Sequence, residues 1–123
     1  MSAPHRMVLV VDDDANLRQL LAWMLTDEGF VVDSARNGQE ALEWLHRHRD
    51  VSCVVLLDLT MPVMDGRTFL RAREADARLS KVPVVISSSE THCDDVAKRY
   101  HVNGFLHKPF APGGLFAALA ACD

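Results

Sequence analysis

The run of the sequence that most constrains the fold is residues 51–57, which read VSCVVLL. Five of these seven residues are Val or Leu, and polar and apolar side chains do not alternate along the run. A strand with one face in water alternates, whereas a strand covered by helices on both faces is apolar throughout. The run therefore predicts a central strand of a parallel sheet.

Elsewhere in the chain, short apolar runs alternate with helical patterns. Runs of strand type lie at 7–11, 30–32, 82–86 and around 105–106, so five strands are predicted in all. Helices are expected after Asp14, from Asn37, after Gly66, over 92–100 and over 112–122. The last helix should be the least stable, because Gly113 and Gly114 lie in its first turn.

The helical patterns also indicate which side chains face the core. In the first helix these are predicted to be Leu17, Leu20, Leu21, Met24 and Leu25. Asp14 can cap this helix and Gly29 can end it. The second helix should turn Ala41, Leu42 and Leu45 inward, and the third helix Phe69 and Leu70, with several arginines on its outer side.

Five strands alternating with five helices predict an α/β fold, with a doubly wound parallel sheet and helices on both faces. The 123 residues suffice for one domain, which we place at 1–123. In an open sheet of this kind, ligands bind beyond the carboxyl ends of the strands. Functional residues are therefore expected at those strand ends.

Composition narrows the classes of function. The net charge of −4 argues against a basic nucleic-acid surface or a polybasic membrane patch, and no apolar run is long enough for a spanning helix. The first six residues form no apolar h-region and the apolar stretch at 7–11 is too short for one, so export is not expected. Three cysteines without a CxxC pair fit reduced thiols in the cytoplasm, and the six histidines show no zinc spacing.

Polar residues follow four of the predicted strands at their carboxyl ends. The first strand runs into Asp12, Asp13 and Asp14, and the third into Asp58. The fourth strand ends in Ser87, Ser88 and Ser89, and His107, Lys108 and Pro109 follow the fifth. Because parallel strands end at one edge of the sheet, these side chains are expected to converge.

The chemistry of such a cluster favours phosphoryl transfer. Clustered carboxylates repel and raise one another's pKa, and a hard divalent cation such as Mg²⁺ relieves that repulsion. Lys108 can pair with a carboxylate or a phosphoryl oxygen, and Ser88 can donate a hydrogen bond. A carboxylate nucleophile, a metal, a cation and a hydroxyl make up a phosphoryl-transfer site.

Four segments of the sequence match the motifs of a known family. The segments VLVVDD (8–13), LLDLTMPVMDG (56–66), PVVISS (83–88) and KPF (108–110) span nearly the whole chain. In order and spacing, the chain resembles the CheY-like receiver domains of two-component response regulators. The resemblance implies a flavodoxin-like (βα)5 fold with strand order 2-1-3-4-5.

The resemblance also implies roles for single residues. Asp58 is expected to accept the phosphoryl group and Lys108 to bind it. Asp13 would ligate Mg²⁺ directly, Asp12 through water, and Thr60 through its backbone carbonyl, with Asp58 as a further ligand. The donor would be a histidine kinase or a histidine phosphotransfer protein. Such a domain modifies itself and is not a multiple-turnover enzyme.

Three further positions match the family's switch. Ser88 matches the switch hydroxyl, Ser89 the small residue that controls access to the phosphoryl group, and Phe105 the aromatic switch position. Ser89 stands where the family commonly has Ala, which can change the phosphoryl lifetime. Phe105 stands where Tyr is common, and it keeps the packing but loses the hydroxyl. The switched surface would be the fourth helix, fifth strand and fifth helix.

Two alternatives stay open. A phosphatase of the haloacid dehalogenase type also uses an aspartate after a hydrophobic strand, but its signature wants a second Asp where this chain has Thr60. A nucleotide-binding module would need a glycine-rich phosphate loop, and the chain has none. Within the receiver interpretation, the chain is either a stand-alone regulator acting on a partner or a receiver cut from a longer protein with an output domain.

Overall fold

The computed structural model describes residues 7–48, 50–59, 64–89 and 94–122, with all of their side chains except those at 94, 95 and 97. In this part of the chain, five strands alternate with five α-helices, and a short 3₁₀ helix lies at Leu79–Lys81. The strands are β1 (Met7–Val11), β2 (Val31–Ala35), β3 (Cys53–Asp58), β4 (Val84–Ser88) and β5 (Gly104–His107). The helices are α1 (Ala15–Asp27), α2 (Gly38–Arg47), α3 (Gly66–Ala75), α4 (Asp94–Arg99) and α5 (Pro112–Ala120).

The strands form one parallel sheet in the order β2-β1-β3-β4-β5, which confirms the predicted fold class and strand order. All six residues of β3 are buried, as expected for a central strand with helices on both faces. Val11 of β1 pairs with Leu57 of β3. The residues that follow them, Asp12 and Asp58, therefore lie side by side at the carboxyl edge.

The core has two halves, one on each face of the sheet. Val8 and Val54 face the side covered by α1 and α5, where Leu21, Leu25, Leu115 and Leu119 are buried. Leu9 and Val55 face the other side, where Trp44, Phe69 and Val96 from α2, α3 and α4 are buried. Successive side chains of a strand point to opposite faces, so each strand supplies both halves.

Local sequence signals account for the starts of three helices. Asp14, Asn37 and Asp65 cap α1, α2 and α3, and each side chain accepts hydrogen bonds from backbone N–H groups of the first turn. After α1, Gly29 adopts a φ of +96°, a conformation that glycine tolerates and that ends the helix. Both predictions for α1, the cap at Asp14 and the stop at Gly29, are confirmed.

Several element bounds differ from the predictions. β2 begins at Val31 and continues to Ala35, β3 begins at Cys53 rather than at 51, and α5 ends at Ala120. β4 begins after Pro83, because proline has no N–H to give to the ladder, and it continues through the two serines to Ser88. Among the described residues α4 covers Asp94–Arg99, so it ends one residue before the predicted end at 100, and the predicted start at 92 lies outside the described residues.

One prediction about a side chain is wrong: Leu20 of α1, expected to face the core, is 49% exposed. In α3, Arg71 is exposed as expected, whereas Arg73 is buried. Its Nε donates to the carbonyl of Val82 at 3.0 Å and its Nη1 to the carbonyl of Tyr100 at 3.1 Å. Burial lowers the pKa of Arg73 below its ordinary value.

Among the described residues, no helix combines the length and the apolar character needed to cross a bilayer.

Candidate functional site

Three carboxylates meet at the carboxyl edge of the sheet. Asp12 follows β1, Asp13 is the next residue, and Asp58 ends β3. One carboxylate oxygen from each lies within 4.8 Å of the others. Asp12 and Asp58 are buried, with 3% and 6% of their surfaces exposed, and Asp13 is exposed. The cluster is therefore open to solvent on one side only.

Lys108 brings a positive charge into this cluster. Its Nζ lies 2.8 Å from Oδ2 of Asp12 and 3.7 Å from Oδ1 of Asp58. The residue comes directly after β5, and its backbone N–H donates to the carbonyl of Ser88 at 2.8 Å. This bond extends the pairing of β4 and β5 by one step. The pairing of β4 with β5 thus places Lys108 beside the carboxylates.

The position of Asp12 is held from three directions. Its backbone N–H donates to the carbonyl of Ala35 at 3.2 Å, and its Oδ1 accepts from the N–H of Asp14 at 2.9 Å. Arg18 Nη1 donates to the carbonyl of Asp12 at 2.7 Å. With Lys108 on Oδ2, both carboxylate oxygens of Asp12 have a donor. This network orients Asp12 and lets its charge remain in a nearly buried place.

Gly66 allows the chain to return close to Asp58. Its N–H donates to the carbonyl of Leu59 at 2.9 Å. A Cβ at this position would lie 2.6 Å from the Cα of Leu59 and 2.8 Å from the carbonyl oxygen of Asp58. Just before it, Asp65 caps α3, and the N–H of Thr68 holds the pKa of the Asp65 carboxyl below its ordinary value. Glycine is thus required for α3 to start beside the acidic cluster.

The other predicted site residues lie at different distances from this cluster. Ser88 ends β4 and is 1% exposed, and it lies one residue beyond Ser87, which pairs with Asp58. Ser89 is exposed and lines a groove that Lys108 also lines. Phe105 is half-buried in β5 and packs against the core on the α3 and α4 side. Thr60 lies outside the described residues.

Sequence reasoning missed two residues that support the site. Gly66 was part of the motif quoted for the family, but no role was attached to it; a glycine directly after a capping aspartate is the signal that could have found it. Arg18 was not considered. Its place one turn into the helix that follows the acidic run puts it within reach of the preceding backbone. Neither role depends on chemistry at Asp58.

A cation is the natural complement of this cluster. The ligand atoms are carboxylate oxygens, which suit a hard divalent ion such as Mg²⁺, and three of them converge. Lys108 neutralises part of the negative charge, and the open side at Asp13 leaves room for water or for a further oxygen ligand. The donor set therefore fits Mg²⁺.

A parallel α/β domain with an acidic cluster and a lysine at the carboxyl edge of its sheet has the parts expected of a phosphoryl-transfer site. The family model described as "Response regulator receiver domain" matches residues 8–120. The chain belongs to this family and is a receiver domain of the kind found in two-component response regulators.

Relatives and solved structures agree with this assignment. "Response regulator Rre1" from Synechocystis sp. is 36% identical over 113 residues, which cover 89% of this chain and 48% of the relative. "DNA-binding response regulator MtrA" from Mycobacterium tuberculosis is 35% identical over 123 residues, covering 98% of this chain and 52% of the relative. This chain thus spans about half the length of these relatives.

The chemotaxis response regulator CheY4 of Vibrio cholerae has a closely similar fold. Its structure superposes with a TM-score of 0.86 at 31% identity, covering 97% of this chain and 99% of that chain. A response regulator receiver protein from Pseudomonas putida superposes equally well, with a TM-score of 0.86 at 27% identity, covering 97% of this chain and 98% of that one. The likeness extends over whole chains in both cases.

Proposed function

We propose that Asp58 accepts a phosphoryl group from a phosphohistidine of a sensor histidine kinase or of a histidine phosphotransfer protein. One observation carries the proposal: the Nζ of Lys108 lies between two nearly buried carboxylates, 2.8 Å from Asp12 and 3.7 Å from Asp58. A cation held this close to Asp58 can bind the oxygens of an incoming phosphoryl group.

Asp12, Asp13 and Asp58 would hold Mg²⁺ together with the backbone carbonyl of Thr60, which lies outside the described residues. When bound, Mg²⁺ neutralises charge on the transferring phosphoryl oxygens and orients them. The convergence of the three carboxylate oxygens within 4.8 Å supports this ligand set. Because the three carboxylates repel one another, binding of a cation at this site is favourable even without a phosphoryl group.

The transfer is a direct displacement at phosphorus. A carboxylate oxygen of Asp58 attacks in line, a new O–P bond forms, and the P–N bond to the donor histidine breaks, leaving its electron pair on the imidazole nitrogen. Lys108 pairs with a phosphoryl oxygen, and the hydroxyl of Ser88 donates to another. Water later cleaves the acyl phosphate at the same site, so the domain modifies itself rather than turning over a substrate.

The phosphoryl oxygens added to Asp58 would cause the conformational change that a partner detects. They draw Ser88 toward them, Ser89 controls how water reaches them, and Phe105 moves inward as the loop after β4 shifts. This changes the surface formed by α4, β5 and α5, which a partner then binds. The half-buried position of Phe105, against the core next to α4, supports its part in the switch.

The whole chain, residues 1–123, would serve as one receiver domain in the cytoplasm. Its partners are the phosphohistidine donor and either a downstream effector protein or an attached output domain. It acts as a monomer or as a phosphorylation-dependent dimer, without binding nucleic acid itself. The net charge of −4 supports partners that are proteins.

The test is phosphorylation with acetyl phosphate and Mg²⁺, read by intact-protein mass spectrometry. The wild-type chain should gain one phosphoryl group, and Asp58→Asn should gain none. Asp50→Asn is the matched control, because Asp50 is an exposed aspartate that precedes β3 at the opposite edge of the sheet. Equal labelling of the wild type and Asp58→Asn would exclude Asp58 as the acceptor. Steady release of phosphate over many turnovers from a small phosphomonoester, which is not an acyl phosphate or phosphohistidine donor, would instead favour a phosphatase.

A further inference from the structure

The segment between β2 and α2 contacts both sides of the acidic cluster. At one end, the carbonyl of Ala35 accepts a hydrogen bond from the N–H of Asp12 at 3.2 Å. At the other end, the N–H of Gly38 donates to the carbonyl of Met64 at 3.0 Å. Ala35 and Gly38 are only three positions apart in the chain. One short segment therefore joins the acidic turn after β1 to the chain that leads into α3.

Met64 is connected to the backbone of Asp58 through Gly66. Met64 is half-buried, packs against the core and lies two residues before Gly66. The N–H of Gly66 donates to the carbonyl of Leu59 at 2.9 Å. Gly66 also lies so close to Asp58 that a Cβ would be 2.8 Å from the carbonyl oxygen of Asp58. Because this stretch is tightly packed, a displacement of Met64 is transmitted toward Asp58.

The contact between Gly38 and Met64 leaves no room for a side chain on residue 38. A Cβ on Gly38 would lie 2.9 Å from Cγ of Met64, 3.0 Å from its carbonyl oxygen and 3.1 Å from its Sδ. The methionine side chain can rotate away, but its carbonyl oxygen belongs to the backbone. A methyl group added at residue 38 therefore pushes on the backbone at Met64, whereas the helix itself tolerates alanine better than glycine.

The start of α2 is itself held by hydrogen bonds between neighbouring residues. Oδ1 of Asn37 accepts from the N–H of Glu40 at 2.9 Å, and Oε1 of Glu40 accepts from the N–H of Arg36 at 2.8 Å. Bonds of this kind satisfy donors that a helix start leaves open and fix its direction. Gly38 is thus a fixed support for Met64.

We propose that Gly38 is a positioning residue of the acidic cluster and sets its affinity for Mg²⁺ by holding Met64 in place. Mg²⁺ demands near-ideal octahedral geometry, with oxygens at about 2.0–2.1 Å. An added Cβ requires its neighbour to move by about a few tenths of an ångström, which is a large change on that scale. The inference rests on the proposed Mg²⁺ site, and Gly38 affects that site only through Met64.

The test is isothermal titration of the unphosphorylated chain with MgCl₂ at constant ionic strength. Gly38→Ala should raise the Kd for Mg²⁺ about tenfold, the lower end of the effect of residues that orient metal ligands. Labelling by acetyl phosphate should slow at low Mg²⁺ and approach the wild-type rate at saturating Mg²⁺, because the loss lies in ion binding. In Gly38→Ala/Met64→Ala two of the three close contacts are removed, so the affinity should recover at least in part.

Gly113→Ala is the matched control, because Gly113 also lies in the first turn of a helix and a Cβ there meets nothing within 4 Å. It should bind Mg²⁺ like the wild type. Asn37→Ala is a second variant, which introduces no clash. It removes the cap of α2 and loosens the support behind Gly38, so it should also weaken Mg²⁺ binding. Urea unfolding without Mg²⁺ shows whether each variant is folded.

Wild-type affinity for Mg²⁺ in Gly38→Ala would overturn the inference. So would an equal loss of affinity in Gly113→Ala, or a Gly38→Ala/Met64→Ala chain with no recovery, because the contact with Met64 would not be the cause. If Gly38→Ala does not fold, wild-type affinity in Asn37→Ala overturns the inference instead. A wild-type chain that binds no Mg²⁺ would contradict the proposed metal site itself and this inference with it, so the two failures are distinguishable.

Discussion

Lys108 is closer to Asp12 than to Asp58, with its Nζ 2.8 Å from Oδ2 of Asp12 and 3.7 Å from Oδ1 of Asp58. The two residues of the shorter pair are 96 positions apart in the chain. In the unphosphorylated domain, the lysine is thus already at the site, with Asp12 as its nearer partner. In the proposed transfer, a small movement of its side chain would bring the ammonium group onto a phosphoryl oxygen at Asp58.

Removal of this ammonium group should lower both stability and phosphorylation. In Lys108→Met, Asp12 stays nearly buried without its cation, and we expect the free energy of unfolding to fall by about 1–3 kcal/mol. This is less than for a fully buried pair, because Lys108 keeps 22% of its side chain in water. Urea unfolding at pH 7 measures the change, and labelling by acetyl phosphate should slow.

The control for this variant is Lys98→Met, which removes an exposed lysine from α4. Its free energy of unfolding should stay within about 0.5 kcal/mol of the wild type. If Lys108→Met were as stable as Lys98→Met, the pair with Asp12 would contribute nothing measurable.

Magnesium should stabilise the domain through the three carboxylates. At a concentration about 100 times its Kd, a bound ion adds about 2.7 kcal/mol to the free energy of unfolding. In Asp13→Asn this gain should shrink, because one ligand loses its charge. Thermal unfolding at several MgCl₂ concentrations, with NaCl added to constant ionic strength, measures the effect.

Asp14→Asn is a suitable comparison, since it neutralises the neighbouring aspartate while asparagine still caps α1. Its response to magnesium should resemble that of the wild type. A response lost equally in both variants would mean that general screening of negative charge, rather than ligation, causes the stabilisation.

Substitution of two glycines by alanine should have opposite effects. In Gly66→Ala the new Cβ meets the Cα of Leu59 at 2.6 Å and the carbonyl of Asp58 at 2.8 Å. The backbone must move, so we expect a loss of about 1–3 kcal/mol and slower phosphorylation. In Gly113→Ala nothing lies within 4 Å, and α5 should gain about 0.5–1 kcal/mol. Urea unfolding measures the free energy of unfolding of both variants. A Gly66→Ala variant as stable as the wild type would contradict the close approach of residue 66 to the backbone of Asp58 and Leu59.

The buried guanidinium of Arg73 should stabilise the contact between α3, β4 and the end of α4. Arg73→Met leaves the carbonyls of Val82 and Tyr100 without their donor, and we expect a loss of about 1–3 kcal/mol. Arg71→Met, on the exposed side of the same helix, should change stability by less than about 0.5 kcal/mol. Urea unfolding measures the free energy of unfolding of Arg73→Met and Arg71→Met. A gain in stability for Arg73→Met would show that the cost of burying the charge exceeds the two hydrogen bonds.

The cap of α3 should make part of the stability depend on pH. The N–H of Thr68 lowers the pKa of Asp65 in the folded chain. The ionised carboxyl therefore stabilises the fold fully at pH values above the pKa of Asp65 in the unfolded chain, which is about 3.9. As the pH falls below this value and through the lower pKa of the folded chain, protonation of Asp65 removes this stabilisation. Asp65→Asn keeps a capping oxygen but cannot titrate, so the difference in stability between it and the wild type should change between about pH 6 and pH 3. A constant difference over this range would contradict the role of the charge.

Much of the architecture could be predicted because it rests on local patterns. The apolar run that became β3, the alternation of strands with helices, the cap at Asp14 and the start of a helix at Asn37 each depend on neighbours in the sequence. Strand order followed from the family resemblance, and the meeting of Asp12, Asp13 and Asp58 from the rule that parallel strands end at one edge. Element bounds could be predicted less well: the apolar run predicted for the fourth strand covers 82–86, whereas β4 covers Val84–Ser88.

What the sequence by itself determined about this protein is the class of the fold and the edge of the sheet at which its acidic residues gather. The tertiary structure decided which groups touch. The Nζ of Lys108 lies closer to Asp12 than to Asp58, Arg73 is buried with two carbonyls from distant elements accepting its hydrogen bonds, and Trp23 and Leu20 of α1 stay exposed. Periodicity along one helix cannot give these results, because burial and pairing depend on the neighbours that packing brings from elsewhere in the chain.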